Sequence, residues 1–175
     1  SDTMMLGHGL LAFAAVAVVA LARGWDDRRA LGIAVVAGLF GALPDVDMLY
    51  AVWGVFGADL TNALAANEAF WDASDAAHRS ATHSLVVAVP TAGAVALLVR
   101  RRSGAFATVL AAGLLSAVVT AGYLVSGPLD AAMLFAFGVG AVLLSLGIRR
   151  YATLGWKPVA GAALFGLLAH PFGDL

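Results

Sequence analysis

Six long apolar stretches, separated by short polar or charged breaks, dominate the chain: about Leu6–Ala22, Ala30–Leu43, Ser84–Val99, Gly104–Ser126, Leu129–Ile148 and Pro158–His170. Apolar runs of roughly 17–25 residues can cross a bilayer as α-helices, and the pattern predicts six crossings. The second, third and sixth stretches are short, so they would thin the bilayer locally or continue into an interfacial segment. Pro44 fits the end of the second, because proline disfavours helix at the residue before it. The first stretch has no basic segment ahead of it and reads as a span, not a removable signal.

A longer region, residues 44–83, separates the second and third spans. Residues 48–58 are apolar but too short to span easily. Tyr50, Trp53 and Phe56 recur there every three residues, which predicts a helix lying in the outer interface or dipping into it; a simple extension of span two is the alternative. Residues 59–80 are polar and Ala-rich and read as a surface loop with some helix. The fold class expected is an all-α integral membrane protein. It forms one domain over residues 1–175, a bundle of about six transmembrane helices with an extracytoplasmic loop region at about 44–83.

Composition agrees. The chain is 62% hydrophobic and 12% charged, with mean hydropathy +0.92, whereas soluble domains average about 45–50% apolar and about 25% charged. Lipid must solvate the excess. A net charge of −1 provides no global basic field for nucleic acid. The absence of cysteine excludes disulfides, thiolate catalysis and Cys-based zinc sites, so any metal would take N and O ligands.

Charge also orients the bundle. Arg23, Arg28, Arg29, Arg100, Arg101, Arg102, Arg149, Arg150 and Lys157 all fall in alternate loops, which the positive-inside rule makes cytoplasmic. The opposite, extracytoplasmic side carries the N-terminus, the 44–83 region, the Gly127–Pro128 turn and the C-terminus. The expected location is the plasma membrane with the N-terminus outside. Trp25, Trp53, Trp71 and Trp156 fall near span boundaries, where amphipathic rings are favoured. The many Ala and Gly residues permit close helix contact.

This topology, drawn without the histidines, puts all four of them on the outer side: His8, His78, His83 and His170. Asp45 and Asp47 lie just beyond span two, and Asp174 beyond His170. Imidazole nitrogen with carboxylate oxygen is the ligand set of catalytic zinc, and also of manganese or iron. Ionisable groups at membrane depth are functional candidates by default. Asp45 and Asp47 follow Pro44, so both can turn inward only off the helix. His78 and His83 are five apart, off-register for one helical face, and need a turn before span three, which Thr82 or Ser84 could cap. His170 and Asp174 have co-facial spacing, although Pro171 between them is expected to break or kink the helix. Each motif also has a plain structural explanation as a cap, solvated turn or surface residue. Arg79 is an ion-pair partner for loop acids or a phosphate clamp.

Gly7-His8, Leu43-Pro44-Asp45-Val46-Asp47, His78-Arg79-Ser80-Ala81-Thr82-His83-Ser84 and His170-x-x-x-Asp174 come in the order seen in the YdjM-type family, which the chain resembles. The resemblance implies a membrane-bound metal-dependent hydrolase with a metal centre drawn from His8, Asp45, Asp47, His78, His83, His170 and Asp174. The motif order is more distantly similar to that of zinc-dependent phospholipase C and related all-α nucleases that cut phosphoesters. Zinc is the first expectation for the cofactor, with manganese or magnesium as alternatives. Asp45 and His83 are candidates for the general base, and Arg79 for a group that holds a phosphate or developing charge. A site at the lipid–water boundary suits an amphiphilic or lipid-phosphate substrate. The rival functions are a non-enzymatic membrane protein with a structural metal and a transporter.

Overall fold

A computed structural model describes residues 4–57, 61–77, 82, 84–100 and 104–173; within these, side chains are described except at 4–6, 47, 49, 53–54, 74–77 and 171–173. The described residues form eight α-helices and one 3-10 helix. These are α1 (Met4–Ala22), α2 (Asp27–Ala42), the 3-10 helix (Leu43–Met48), α3 (Leu49–Phe56), α4 (Ala63–Ala77), α5 (Leu85–Val99), α6 (Ala105–Ser126), α7 (Pro128–Tyr151) and α8 (Trp156–Gly173). Helices α1, α2, α5, α6, α7 and α8 coincide with the six apolar stretches. Three segments, Asp27–Val46, Ala105–Ser126 and Pro128–Tyr151, are long and apolar enough to cross a membrane, and Gly7–Ala22 and Leu85–Val99 are shorter apolar helices.

Local chemistry sets the boundaries. Gly24, at φ +76°, closes α1, and the Asp26 side chain caps α2 by accepting the backbone N–H of Arg29 at 3.0 Å. Gly127, at φ +98°, reverses the chain between α6 and α7, and Pro128 at the first position of α7 needs no N–H partner. Ser84 caps α5 through its hydroxyl, which accepts from Val86 N–H at 3.2 Å. As the sequence suggests, α2 gives way at Leu43, just before Pro44, and Asp45 and Asp47 sit on the 3-10 turn.

Two expectations are modified. Residues 63–77 form a 15-residue helix, not a loop with some helix. Its start is anchored by Asn62, whose side-chain oxygen accepts from Leu64 and Ala65 N–H. Pro171 does not end α8, which runs to Gly173. In a final turn proline forfeits one backbone hydrogen bond, which packing of the preceding turns outweighs.

Helix α8 lies at the centre, packed on α1, α2 and α5, while α5 carries α6 and α7 on its other side. Phe40, Val95, Leu134, Phe137, Val159 and Leu167 fill the shared core. The outer surface is apolar as well: Val86, Phe106, Leu124 and Val125 are each more than three-quarters exposed, and only Ala111 and Gly122 of α6 are buried. A surface of this kind is solvated by lipid, because soluble monomers rarely expose large contiguous apolar patches.

The two ends of the bundle differ. At one end Arg29 stacks on Trp25, Arg100 on Trp156, and Arg149 reaches the Leu98 carbonyl from α7. At the other end lie the start of α1, the end of α2, the 3-10 helix and the end of α8.

Candidate metal centre

The histidine-bearing end is assembled by close helix contacts. The start of α1 lies on the end of α2, so that a Cβ added at Gly41 would fall 3.2 Å from the Ala12 Cβ and 3.4 Å from the His8 carbonyl oxygen. Helix α8 crosses α2 just below. A Cβ added at Gly166 would collide with the Ala37 carbonyl oxygen and sit 2.8 Å from the Gly41 nitrogen. Two glycine-mediated contacts thus bring His8 and His170 to the end of α2. His8 is 6% exposed and His170 fully buried, and their rings meet edge to face with centroids 4.4 Å apart.

Each ring nitrogen of His170 faces an oxygen. Its Nδ1–H donates to the Gly41 carbonyl at 2.8 Å. That carbonyl lies in the last turn of α2, where acceptors lack intrahelical donors, and Pro44, three residues on, has no N–H to offer it. Because a carbonyl only accepts, this contact needs the proton on Nδ1, and in the neutral ring the lone pair is then on Nε2. Nε2 faces Asp45 Oδ1 at 3.4 Å. A proton or a cation between these two atoms would satisfy both.

The donor set fits a metal in two respects. Histidine ligands of metals commonly donate the other ring N–H to a carbonyl or carboxylate, which fixes the tautomer. Two ligands about 2.0–2.1 Å from a tetrahedral zinc are themselves about 3.3–3.4 Å apart. Among the described residues, however, no group of three or more His, Asp or Glu side chains is placed to hold an ion by itself. His78, Arg79, His83, Asp174 and the Asp47 side chain lie outside the described residues. Of the expected site residues, the structure therefore brings together His8, Asp45 and His170.

Sequence reasoning passed over Gly41, whose backbone oxygen orients His170. No side chain marks that role; the only trace was a glycine near the end of a helix followed by Pro44.

No curated protein and no solved structure matches this chain. The sequence model of the YdjM inner membrane protein family matches residues 4–175, which span every helix described above as well as His8, Asp45 and His170. The chain belongs to the YdjM inner membrane protein family.

Proposed function

We propose that this protein is a metal-dependent hydrolase whose site lies at the extracytoplasmic face of the membrane. The observation that carries the reading is the fixed His170 imidazole, anchored through Nδ1–H on Gly41 and presenting Nε2 to Asp45. The reading includes six crossings, by α1, α2, α5, α6, α7 and α8, with the arginine-rich end cytoplasmic. His170 and Asp45 would hold a divalent ion, zinc first, with further ligands drawn from His8, Asp47, His78, His83 and Asp174. Such an ion supplies a water acidified to near pKa 7 and a Lewis acid for the scissile group.

The chain's own residues have distinct tasks. Gly41 holds the His170 tautomer, so that Nε2 stays the donor atom. Asp45, on the 3-10 turn, balances charge beside it or accepts a proton as general base. Arg79 would hold a substrate phosphate. The outer 3-10 helix and α3, whose Phe56 is 69% exposed, offer an apolar approach for an amphiphile such as a lipid phosphate.

Transport is a weaker reading because such sites need polar groups near the bilayer midplane. Within the described residues the buried mid-helix hydroxyls, Thr91 and Ser145, bond back to the Val87 and Ala141 carbonyls. The test is elemental analysis of the purified protein, followed by hydrolysis assays on lipid phosphoesters with and without a chelator. Stoichiometric metal with chelator-sensitive turnover is expected. Full activity after complete metal removal refutes the proposal, and metal loss that lowers melting temperature without any turnover points to a purely structural ion.

A further inference from the structure

We propose that the groove between α2 and α7, at the bundle end opposite His170, is a binding site for one anionic phospholipid of the adjoining leaflet. The groove has a volume of about 910 Å³. Arg28 and Arg29 stand at its mouth, and Leu39 and Leu143 lie at its far end, with Gly147 and Tyr151 along the α7 side.

Three features select this occupant. The first is length: from residue 28 to residue 39 a helix rises about 16 Å at about 1.5 Å per residue, half of a hydrocarbon core about 30 Å thick. The groove therefore spans one leaflet, the reach of an acyl chain. The second is charge. Both arginines lie at the polar end only, and Arg29 is held by stacking on Trp25, its guanidinium carbon 4.0 Å from the ring centroid. Asp26 also borders the mouth, with its Oδ1 turned to the Arg29 backbone N–H at 3.0 Å, so these three groups leave the mouth with a net positive charge. Guanidinium groups bind phosphate oxygens through charge-assisted hydrogen bonds. The third is depth: Trp25 and Tyr151 mark the interfacial level at which a headgroup sits. A free phosphate would use the mouth and leave the apolar wall empty, whereas a neutral lipid would use the wall and forgo the arginines. The site is at the other end from His170 and does not depend on the metal reading.

The experiment is thermal unfolding of the full chain in neutral detergent, titrated with phosphatidylglycerol, phosphatidylcholine or inorganic phosphate. Phosphatidylglycerol is expected to raise the melting temperature saturably, and the other two are not. Anionic lipid attraction amounts to about fivefold per arginine, so Arg28→Gln with Arg29→Gln should shift the titration midpoint by about 25-fold. Arg150→Gln, an exposed cation at the same end but outside the groove, should leave it in place. Gly147→Leu should weaken the saturable response without altering charge, since a Cβ there meets nothing within 4 Å and the added side chain would project into the groove. Equal stabilisation by phosphatidylcholine or by phosphate alone overturns the proposal. So does an unchanged midpoint in the double variant or in Gly147→Leu.

Discussion

Gly166→Ala is the most direct probe of how the fold builds its site. The added methyl would collide with the Ala37 carbonyl oxygen, while lying 2.8 Å from the Gly41 nitrogen and 3.2 Å from the Phe40 carbonyl carbon. Ordinary carbon contacts begin near 3.5 Å, and all three of these atoms are backbone, so no side chain can rotate away. Helix α8 must retreat from α2 by on the order of 1 Å. Overpacking of this kind costs about 1–3 kcal/mol. Gly161→Ala is the internal control: it lies on the same helix, with nothing within 4 Å of the added Cβ, and should gain up to about 1 kcal/mol from helix propensity. The two variants should differ by about 1–4 kcal/mol, or on the order of 2–15 °C in melting temperature for a chain of this size. A retreat of that size also lengthens the 2.8 Å contact from His170 Nδ1 to the Gly41 carbonyl beyond hydrogen-bonding range. Gly166→Ala should therefore lose affinity for added zinc by at least about tenfold, the lower range for loss of an orienting partner. Thermal unfolding and zinc titration in detergent measure both effects. If Gly166→Ala melts with Gly161→Ala and binds zinc as the native chain does, the close crossing of α2 and α8 does not hold the site.

Other expectations follow from the same geometry. Asp45→Ala should lower bound metal by at least about tenfold, by the same reasoning about partners of a histidine ligand, while circular dichroism keeps its helical signal; full metal retention removes Asp45 from the site. Ser84→Ala removes the cap of α5 and should cost about 1 kcal/mol, seen as a melting temperature lower by a few degrees. The chain has no cysteine, so single-cysteine variants report topology cleanly. Asp72→Cys and Ser126→Cys should react with an impermeant maleimide on intact cells, and Arg23→Cys and Thr153→Cys only after permeabilisation; the reverse pattern inverts the proposed orientation.

The six helices that coincide with apolar stretches were legible because a helix packed in the bundle or facing lipid is apolar on nearly every face, a signal that tertiary contacts do not mask. The boundaries at Pro44 and Ser84 were legible because proline and serine act locally, through a missing donor and an added acceptor. The meeting of His8, Asp45 and His170 was legible only in outline, since charge sidedness fixed which end they share and said nothing of distance. The continuation of α8 through Pro171 was not legible. A local rule priced the lost hydrogen bond, but the decision lay with α8's packing on α1, α2 and α5.

The least legible element, Gly41, shows why this site sits where it does. A buried imidazole needs a partner at each nitrogen, and inside a bilayer every mid-helix carbonyl is already engaged by its own helix. Carbonyls with spare capacity occur at helix ends. The end of α2 supplies one because the chain turns into a 3-10 helix at Leu43, and Pro44 cannot supply the tighter bond. The same turn carries Asp45 out of the helix and toward Nε2 of His170. Thus one proline both leaves an acceptor for Nδ1 and redirects the carboxylate that faces Nε2. Pro44→Ala would let α2 continue for another turn, drawing the Gly41 carbonyl into the helix and swinging Asp45 with its axis. Pro44 is itself fully buried, so the truncation also lowers the melting temperature through lost packing; Gly140→Ala, whose added Cβ would press on the Leu43 side chain, is the packing control. Pro44→Ala should lose zinc affinity with His170 uncoupled from both partners, and the control should lose melting temperature with zinc affinity retained. Equal zinc loss in the two variants would mean that Pro44 serves the packing alone.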